Sequence, residues 1–185
     1  MTILKSTASG VCAPSPIYRT KSLLRVMAYA VGLFLVVSAC KKENDQDDLN
    51  SLLVYEVALD AFVADLQAQP LDSAGLSNRV RDYLAPQSGS FFGATVALLD
   101  SARKVYYSPY WYRLNDILAL KNLADPAYQI DEQEWLRRPI DSGYAIWTEP
   151  YFDAGGGEVW MRTRAVPVVI NSEIVAVATT DVKVQ

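Results

Sequence analysis

The stretch EVWMRTRAVPVVI (158–170), NS (171–172), EIVAVATTDV (173–182) decides the fold of this chain. Two β-rich runs are separated by two residues that favour turns, the pattern of a β-hairpin. In the second run Ile174, Ala176, Ala178, Thr180 and Val182 alternate with Val175, Val177, Thr179 and Asp181. Successive side chains of a strand point to opposite faces, so these two sets lie on opposite faces of the strand. Asp181 breaks the pattern. A carboxyl at the end of an otherwise apolar strand needs a partner. Arg162 and Arg164, across the hairpin, are the sequence's candidates for that partner.

Just upstream lies WTEPYFD (147–153), followed by AGGGE (154–158). Three aromatics, two carboxylates and a proline precede three glycines that release the backbone into the hairpin. Acidic and aromatic side chains at the mouth of a sheet suit a pocket for a small polar or cationic ligand. The glycines do not make a phosphate loop, because no Gly-Lys-Ser/Thr follows and a strand, not a helix, comes next. Asp153 to Glu158 has too few regularly spaced oxygen ligands for a calcium loop. A turn is the role that remains. Asp153 either opens that turn or binds a ligand.

Toward the N-terminus, Leu49, Leu52, Tyr55, Leu59, Phe62, Val63 and Leu66 recur at helical spacing, predicting a long amphipathic helix to about Gln69, before Pro70. Asp72 or Ser73 caps a second helix with Leu76, Val80 and Leu84 on its apolar face. Phe92 to Leu99 reads as a buried strand, Asp100 to Arg103 as a turn and Lys104 to Ser108 as its partner. Tyr110 to Tyr112 is extended, Asn115 to Leu123 reads as a short helix, Asp131 to Arg138 as a helix carrying Trp135, and Gly143 to Trp147 as a strand. Helices first and hairpins afterwards define an α+β domain with an antiparallel sheet. About 135 residues from Leu49 onward are enough for one core.

The first 48 residues are of another kind. Met27 to Ala39 is uncharged and mostly apolar, follows Arg19, Lys21 and Arg25, and ends Val37-Ser38-Ala39-Cys40. A basic region, a short apolar core and small residues at the end describe a secretory signal peptide, 1–39. The last four residues resemble the lipobox of bacterial lipoproteins, which implies lipidation of Cys40 and a membrane anchor. Residues 40–48 then form the lipidated cysteine and a polar tether, and 49–185 the folded domain. Lys41 in place of an aspartate favours the outer membrane in an envelope with two membranes.

Removing 1–39 takes away four basic residues and no acid, so the net charge moves from −4 to about −8. That acidity argues against a nucleic-acid partner. The chain has no histidine, and only Cys40 remains after cleavage. Internal disulfides, His or Cys metal sites and Ser-His or Cys-His nucleophiles are therefore excluded. No metal and no cofactor is expected.

The order of elements, together with Trp135, Trp147 with Pro150-Tyr151 and Asp153, Val166-Pro167, and a last strand ending Asp181-Val182, resembles the Cache family of bacterial extracellular sensor domains. The resemblance spans roughly Leu49 to Val182, with motif-level similarity from Tyr128 to Asp181. It implies a PAS-like (PDC) fold, a long N-terminal helix on an antiparallel sheet, and a ligand pocket. One amino-acid-binding subgroup carries Tyr-x4-Arg-x-Trp-Tyr, then Tyr-x-Asp and the strand-end Asp. Tyr128, Trp135, Tyr151, Asp153 and Asp181 match it, while Gln133 stands at the arginine position and Leu136 at the second tyrosine. Glutamine cannot reproduce a bidentate guanidinium clamp on a carboxylate. The side that faces an ammonium is intact, and Arg162 and Arg164 are the candidates for a substitute anion clamp.

The ligand-binding set implied by these residues is Tyr128, Gln133, Trp135, Trp147, Tyr151, Asp153 and Asp181, with the aromatics serving equally well as core. The expected function is a lipid-anchored extracytoplasmic module that binds an amine or amino-acid-like small molecule. No transmembrane or signalling segment follows Val182, so the expected route of signalling is a membrane receptor or enzyme in trans. Two other classes remain: an interaction lipoprotein whose pocket has decayed, and a hydrolase using Glu149 and Asp153. Without histidine, the third has little supporting chemistry.

Overall fold

The computed structural model describes residues 51–115 and 117–184. The signal peptide, Cys40 and tether expected over 1–48 lie outside the described residues. Helix α1, described over 51–68, buries Tyr55, Leu59, Phe62, Val63 and Leu66, one stripe at the spacing read from the sequence. Helix α2 (Ser73–Leu84) starts at Asp72, whose carboxylate accepts from the Ala74 and Gly75 N–H groups at 2.9 and 3.4 Å. Those are orphan donors of a first helical turn, and the cap satisfies them. Phe62 and Tyr83 stack between the helices at 4.5 Å. Among the described residues, no helix is long and apolar enough to cross a membrane.

The strands are β1 (Phe91–Leu99), β2 (Val105–Tyr107), β3 (Pro109–Leu114), β4 (Ile117–Asn122), β5 (Ile146–Trp147), β6 (Tyr151–Phe152), β7 (Trp160–Ile170) and β8 (Glu173–Lys183). They form one antiparallel sheet in the order β4-β3-β1-β8-β7-β5, with β2 on β1 and β6 on β7. Every residue of β1 is buried, as a central strand covered on both faces requires. The β7–β8 turn has Asn171 and Ser172 at φ 51° and 66°, the handedness that matches the twist of a hairpin. Pro167 fits in β7 because β5 and β6 pair only with residues 160–161 and 164–165, leaving its side of the strand free.

The two faces have separate cores. Ala94, Val96, Leu98, Val166, Val168, Ala176 and Ala178 pack against α1 and α2. Ala97, Leu99, Tyr110, Ala165 and Val177 pack against the segment that carries Tyr128, Ile130, Trp135, Leu136 and Ile140. This second layer holds two short 3-10 turns (Pro126–Tyr128 and Ile130–Glu132) and helix α3 (Glu134–Ser142).

Four local expectations differ from what is found. Asn115 to Leu123 is not a helix: Ile117 to Asn122 is β4, paired with β3 from Leu114↔Ile117 to Pro109↔Asn122. A six-residue apolar segment has too little length to hold a helix by itself, and pairing with a neighbour decides it. The Asp131–Arg138 helix is a 3-10 turn followed by α3, which runs on to Ser142 and closes at Gly143 with φ 75°. The strand expected over Gly143 to Trp147 is reduced to Ile146–Trp147, and the hairpin's first strand begins at Trp160 instead of Glu158.

Candidate functional site

Two carboxyls lie in the layer between the sheet and α3. Asp181 is 4% exposed and sits on β8 opposite Thr163 of β7 and Gly93 of β1. Its Oδ1 accepts from the Thr163 hydroxyl at 2.8 Å. With its proton committed there, Thr163 Oγ1 accepts from the Tyr151 hydroxyl at 2.9 Å. The Thr163 N–H in turn donates to Thr148 Oγ1 at 3.0 Å. Asp153, also 4% exposed, follows β6 and accepts from the Tyr128 hydroxyl at 2.6 Å and the Gly157 N–H at 2.5 Å. Tyr128 receives a bond from Trp135 Nε1 at 3.2 Å. Two relays therefore converge: Trp135 to Tyr128 to Asp153, and Tyr151 to Thr163 to Asp181.

The glycine run is what lets Asp153 turn inward. Its backbone carbonyl accepts from the Gly156 and Glu158 N–H groups at 3.2 and 3.0 Å, a tight loop around its own side chain. Gly155 stands at φ 79°, a left-handed conformation that suits glycine. A Cβ at Gly156 would collide with the Asp153 carboxylate, and one at Gly157 would lie 2.6 Å from Phe92 and 3.1 Å from the Tyr110 hydroxyl. The glycines make a turn, as expected, and that turn wraps a carboxylate.

Burial raises the Asp181 pKa to about 7, and the negative charge of Asp153 pushes it the same way, against the bond from Thr163 and the nearby Tyr110 hydroxyl. Asp153 is raised too, by burial first, with Tyr128 and Gly157 pulling it back and the charges of Glu158 and Lys121 acting in opposite directions. Tyr110, Tyr128 and Tyr151 are all pushed upward, by burial first and then by both acids at Tyr110 and Tyr151 and by Asp153 at Tyr128, so they stay neutral. Among the described residues neither acid is in an ion pair: the salt bridges there involve other carboxylates. The positive charge that acts on Asp153, that of Lys121, does so without an ion pair. The hydroxyl and N–H groups of the enclosure donate to the two carboxyls.

Of the residues expected at the site, Tyr128, Trp135, Tyr151, Asp153 and Asp181 are brought together. Gln133 lies at the start of α3, half-buried, with its side-chain amide donating to the Tyr128 carbonyl at 3.2 Å. Leu136 is fully buried in the apolar core of that layer. Trp147 is elsewhere: its indole donates to Glu56 of α1 at 2.7 Å and meets Tyr55 edge-on, on the helix face of the sheet. Arg162 and Arg164 do not reach Asp181. They alternate with Thr163 along β7, so strand geometry sends them to the opposite face. There Arg162 lies over Trp147, and Arg164 meets Glu56 at 3.5 Å. Glu149 is exposed while Asp153 is buried.

Sequence reading missed Tyr110, Thr163 and Gly93. Tyr110 is 1% exposed and its hydroxyl is directed at the acids from β3. A glycine inside the apolar run of β1 was a usable signal, since it marks close approach. A Cβ at Gly93 would collide with the Tyr110 hydroxyl and lie 2.7 Å from the ring.

A helical layer behind an antiparallel sheet, with a polar enclosure in front, is the architecture of PDC or Cache extracellular sensor domains, the fold expected from the resemblance. Residues 76–185 match the family model described as the methyl-accepting chemotaxis protein-like, first PDC sensor domain, and the chain belongs to that family. Among solved structures it is similar to a protein described as methyl-accepting chemotaxis protein X, with a TM-score of 0.64 and 23% identity. It is similar also to the extracellular domain of a histidine kinase, with a TM-score of 0.60 and 21% identity. Each alignment covers 81% of this chain and 63% of the other. The sensor of Campylobacter jejuni chemoreceptor Tlp3, solved with L-valine, shares 14% identity over 74% of this chain and 53% of its own, with a TM-score of 0.56. The chain thus spans less than two thirds of the length of these structural relatives. No curated protein matches it.

Proposed function

We propose that this protein is an extracytoplasmic sensor that binds a cationic amine or an amino-acid-like ligand between Asp153 and Asp181. The observation that carries the reading is the pair of buried carboxyls without a cationic partner. An isolated buried carboxylate costs several kcal/mol, and an ammonium hydrogen-bonded between two of them offsets part of that cost. The valine complex of Tlp3 is in keeping with such a ligand. Gln133 in place of the arginine weakens carboxylate recognition and tilts the preference toward amines.

Titration calorimetry with simple amines and α-amino acids tests this. Binding of amines, lost in Asp153→Asn and Asp181→Asn, is expected. Binding of a plain dicarboxylate with no amine binding overturns it.

A second reading is an interaction lipoprotein with a decayed pocket, favoured by Leu136 lying wholly in the core. A thermal-shift screen separates the two, because a ligand that binds the folded state must raise its melting temperature. The proposal includes lipidation at Cys40 and signalling through a membrane partner in trans. Cys40→Ser is expected to move the protein from the membrane to the soluble fraction and to abolish labelling by a fatty-acid analogue. Co-purification from membranes checks the partner.

A further inference from the structure

Four tyrosine and threonine hydroxyls surround the two acids, and three of them are committed. Tyr128 donates to Asp153, Tyr151 pairs with Thr163, and Thr163 donates to Asp181. The Tyr110 hydroxyl is buried and completes no hydrogen bond of good geometry, and Asp181 is an acceptor that it approaches. A buried hydroxyl without a partner is costly and uncommon, and calls for an explanation.

Its position supplies one. Two glycines flank the hydroxyl, and each is tied to one of the acids. Gly93 is paired in register with Asp181, and a Cβ there would lie 2.7 Å from Tyr110 Cζ. Gly157 donates its N–H to Asp153, and a Cβ there would lie 3.1 Å from the Tyr110 hydroxyl. The hydroxyl thus lies near both carboxyls, in room that the absence of two side chains leaves for it. Three acceptors converge: Asp153, Asp181 and the Tyr110 oxygen.

We propose that the Tyr110 hydroxyl is a ligand-contacting group of this site and that it selects a primary ammonium over an N-methylated one. The inference rests on the cation-binding reading above. A primary ammonium has three N–H donors, one for each acceptor, and the Tyr110 proton is then free to turn to Asp181. Methyl groups remove those donors and leave the hydroxyl unpaired and buried, the kind of mismatch that buried polar sites reject strongly. Gly93 and Gly157 are the positioning residues that let the ring end lie there.

The test is calorimetry of the wild-type domain and Tyr110→Phe with ethylamine and with its N,N,N-trimethyl counterpart, at mildly alkaline pH. The wild type is expected to prefer ethylamine. The variant is expected to lose about tenfold or more in ethylamine affinity and much of its preference over the trimethyl probe. Equal binding of ethylamine by both proteins overturns the role of Tyr110 and leaves the cation site standing. Failure of the wild type to bind any amine overturns both. A reading independent of the variant's folding uses wild-type protein with tyrosine isotopically labelled at Cζ. Ethylamine must shift a buried tyrosine resonance that the trimethyl probe leaves in place, and no such shift overturns the inference.

Discussion

Because Asp181 is buried among apolar strands beside a second acid, its carboxyl carries a proton more readily in the folded chain than in the unfolded one. The folded pKa of about 7 lies above the ordinary value of 3.8, so the group's contribution to stability is fully present below about pH 3.8. It is lost as the pH rises toward 7 and changes little beyond. Asp181→Asn is therefore expected to stabilise the ligand-free domain by roughly 1–3 kcal/mol at about pH 8 and to change little at about pH 4. Urea denaturation at the two pH values measures this. A variant less stable at the higher pH means that Asp181 has a cationic partner in the free protein. The same titration governs the ligand: amine affinity should rise with pH up to about 7, where the carboxylate forms, and then level off. The acid itself was legible in the sequence as a polar residue out of pattern. Its partner was not, because Thr163 is an unremarkable strand residue until the register with β8 is known.

The turn over residues 154–158 is the element on which the site depends most. It returns the chain from β6 to β7 while its N–H groups close around Asp153. Gly156→Ala puts a methyl group where the Asp153 carboxylate lies, so the carboxylate must move and the bond from Tyr128 is broken. The variant is expected to lose about 1–3 kcal/mol of stability and at least about tenfold in amine affinity. A variant that binds normally shows that Asp153 does not contact the ligand. The elements read well from sequence are those with long periodic patterns: α1, α2 and the β7–β8 hairpin. The short ones were settled by pairing, as β4 shows, since its six residues fit a helix or a strand equally well. Trp147 and Arg164 were misplaced for a related reason. Their motif and charge were visible, but the face each takes depends on the register of β5 on β7, which pairs those two residues on the helix side.

At the scale of the whole domain, the sheet separates the layer that holds the two acids from helices α1 and α2, and β7 carries side chains to both. Thr163 reaches Asp181 in front, while Arg164, the next residue, reaches Glu56 of α1 behind. Glu56 also accepts from Trp147, whose neighbour Thr148 accepts from Thr163. Glu56 thus fastens α1 to β5 and β7, and Gln67 adds a second tie to β7 through the Val169 carbonyl at 2.9 Å. The Arg164 side chain is only 14% exposed and its Nε makes no hydrogen bond, so Glu56 supplies its salt-bridge contact among the described residues. Glu56→Ala leaves a half-buried indole N–H without its acceptor and a nearly buried guanidinium without its counter-ion. A stability loss of about 1–3 kcal/mol is expected, seen as a lower denaturation midpoint at unchanged slope. The amine titration on the same variant then reads how tightly the faces are linked. The acids, Tyr110 and Thr163 are untouched by this change, so an affinity within about twofold of wild type is the outcome for a site organised by the front layer alone. A tenfold change means that α1 and the ligand share one two-state element, for which β7 is the physical connection.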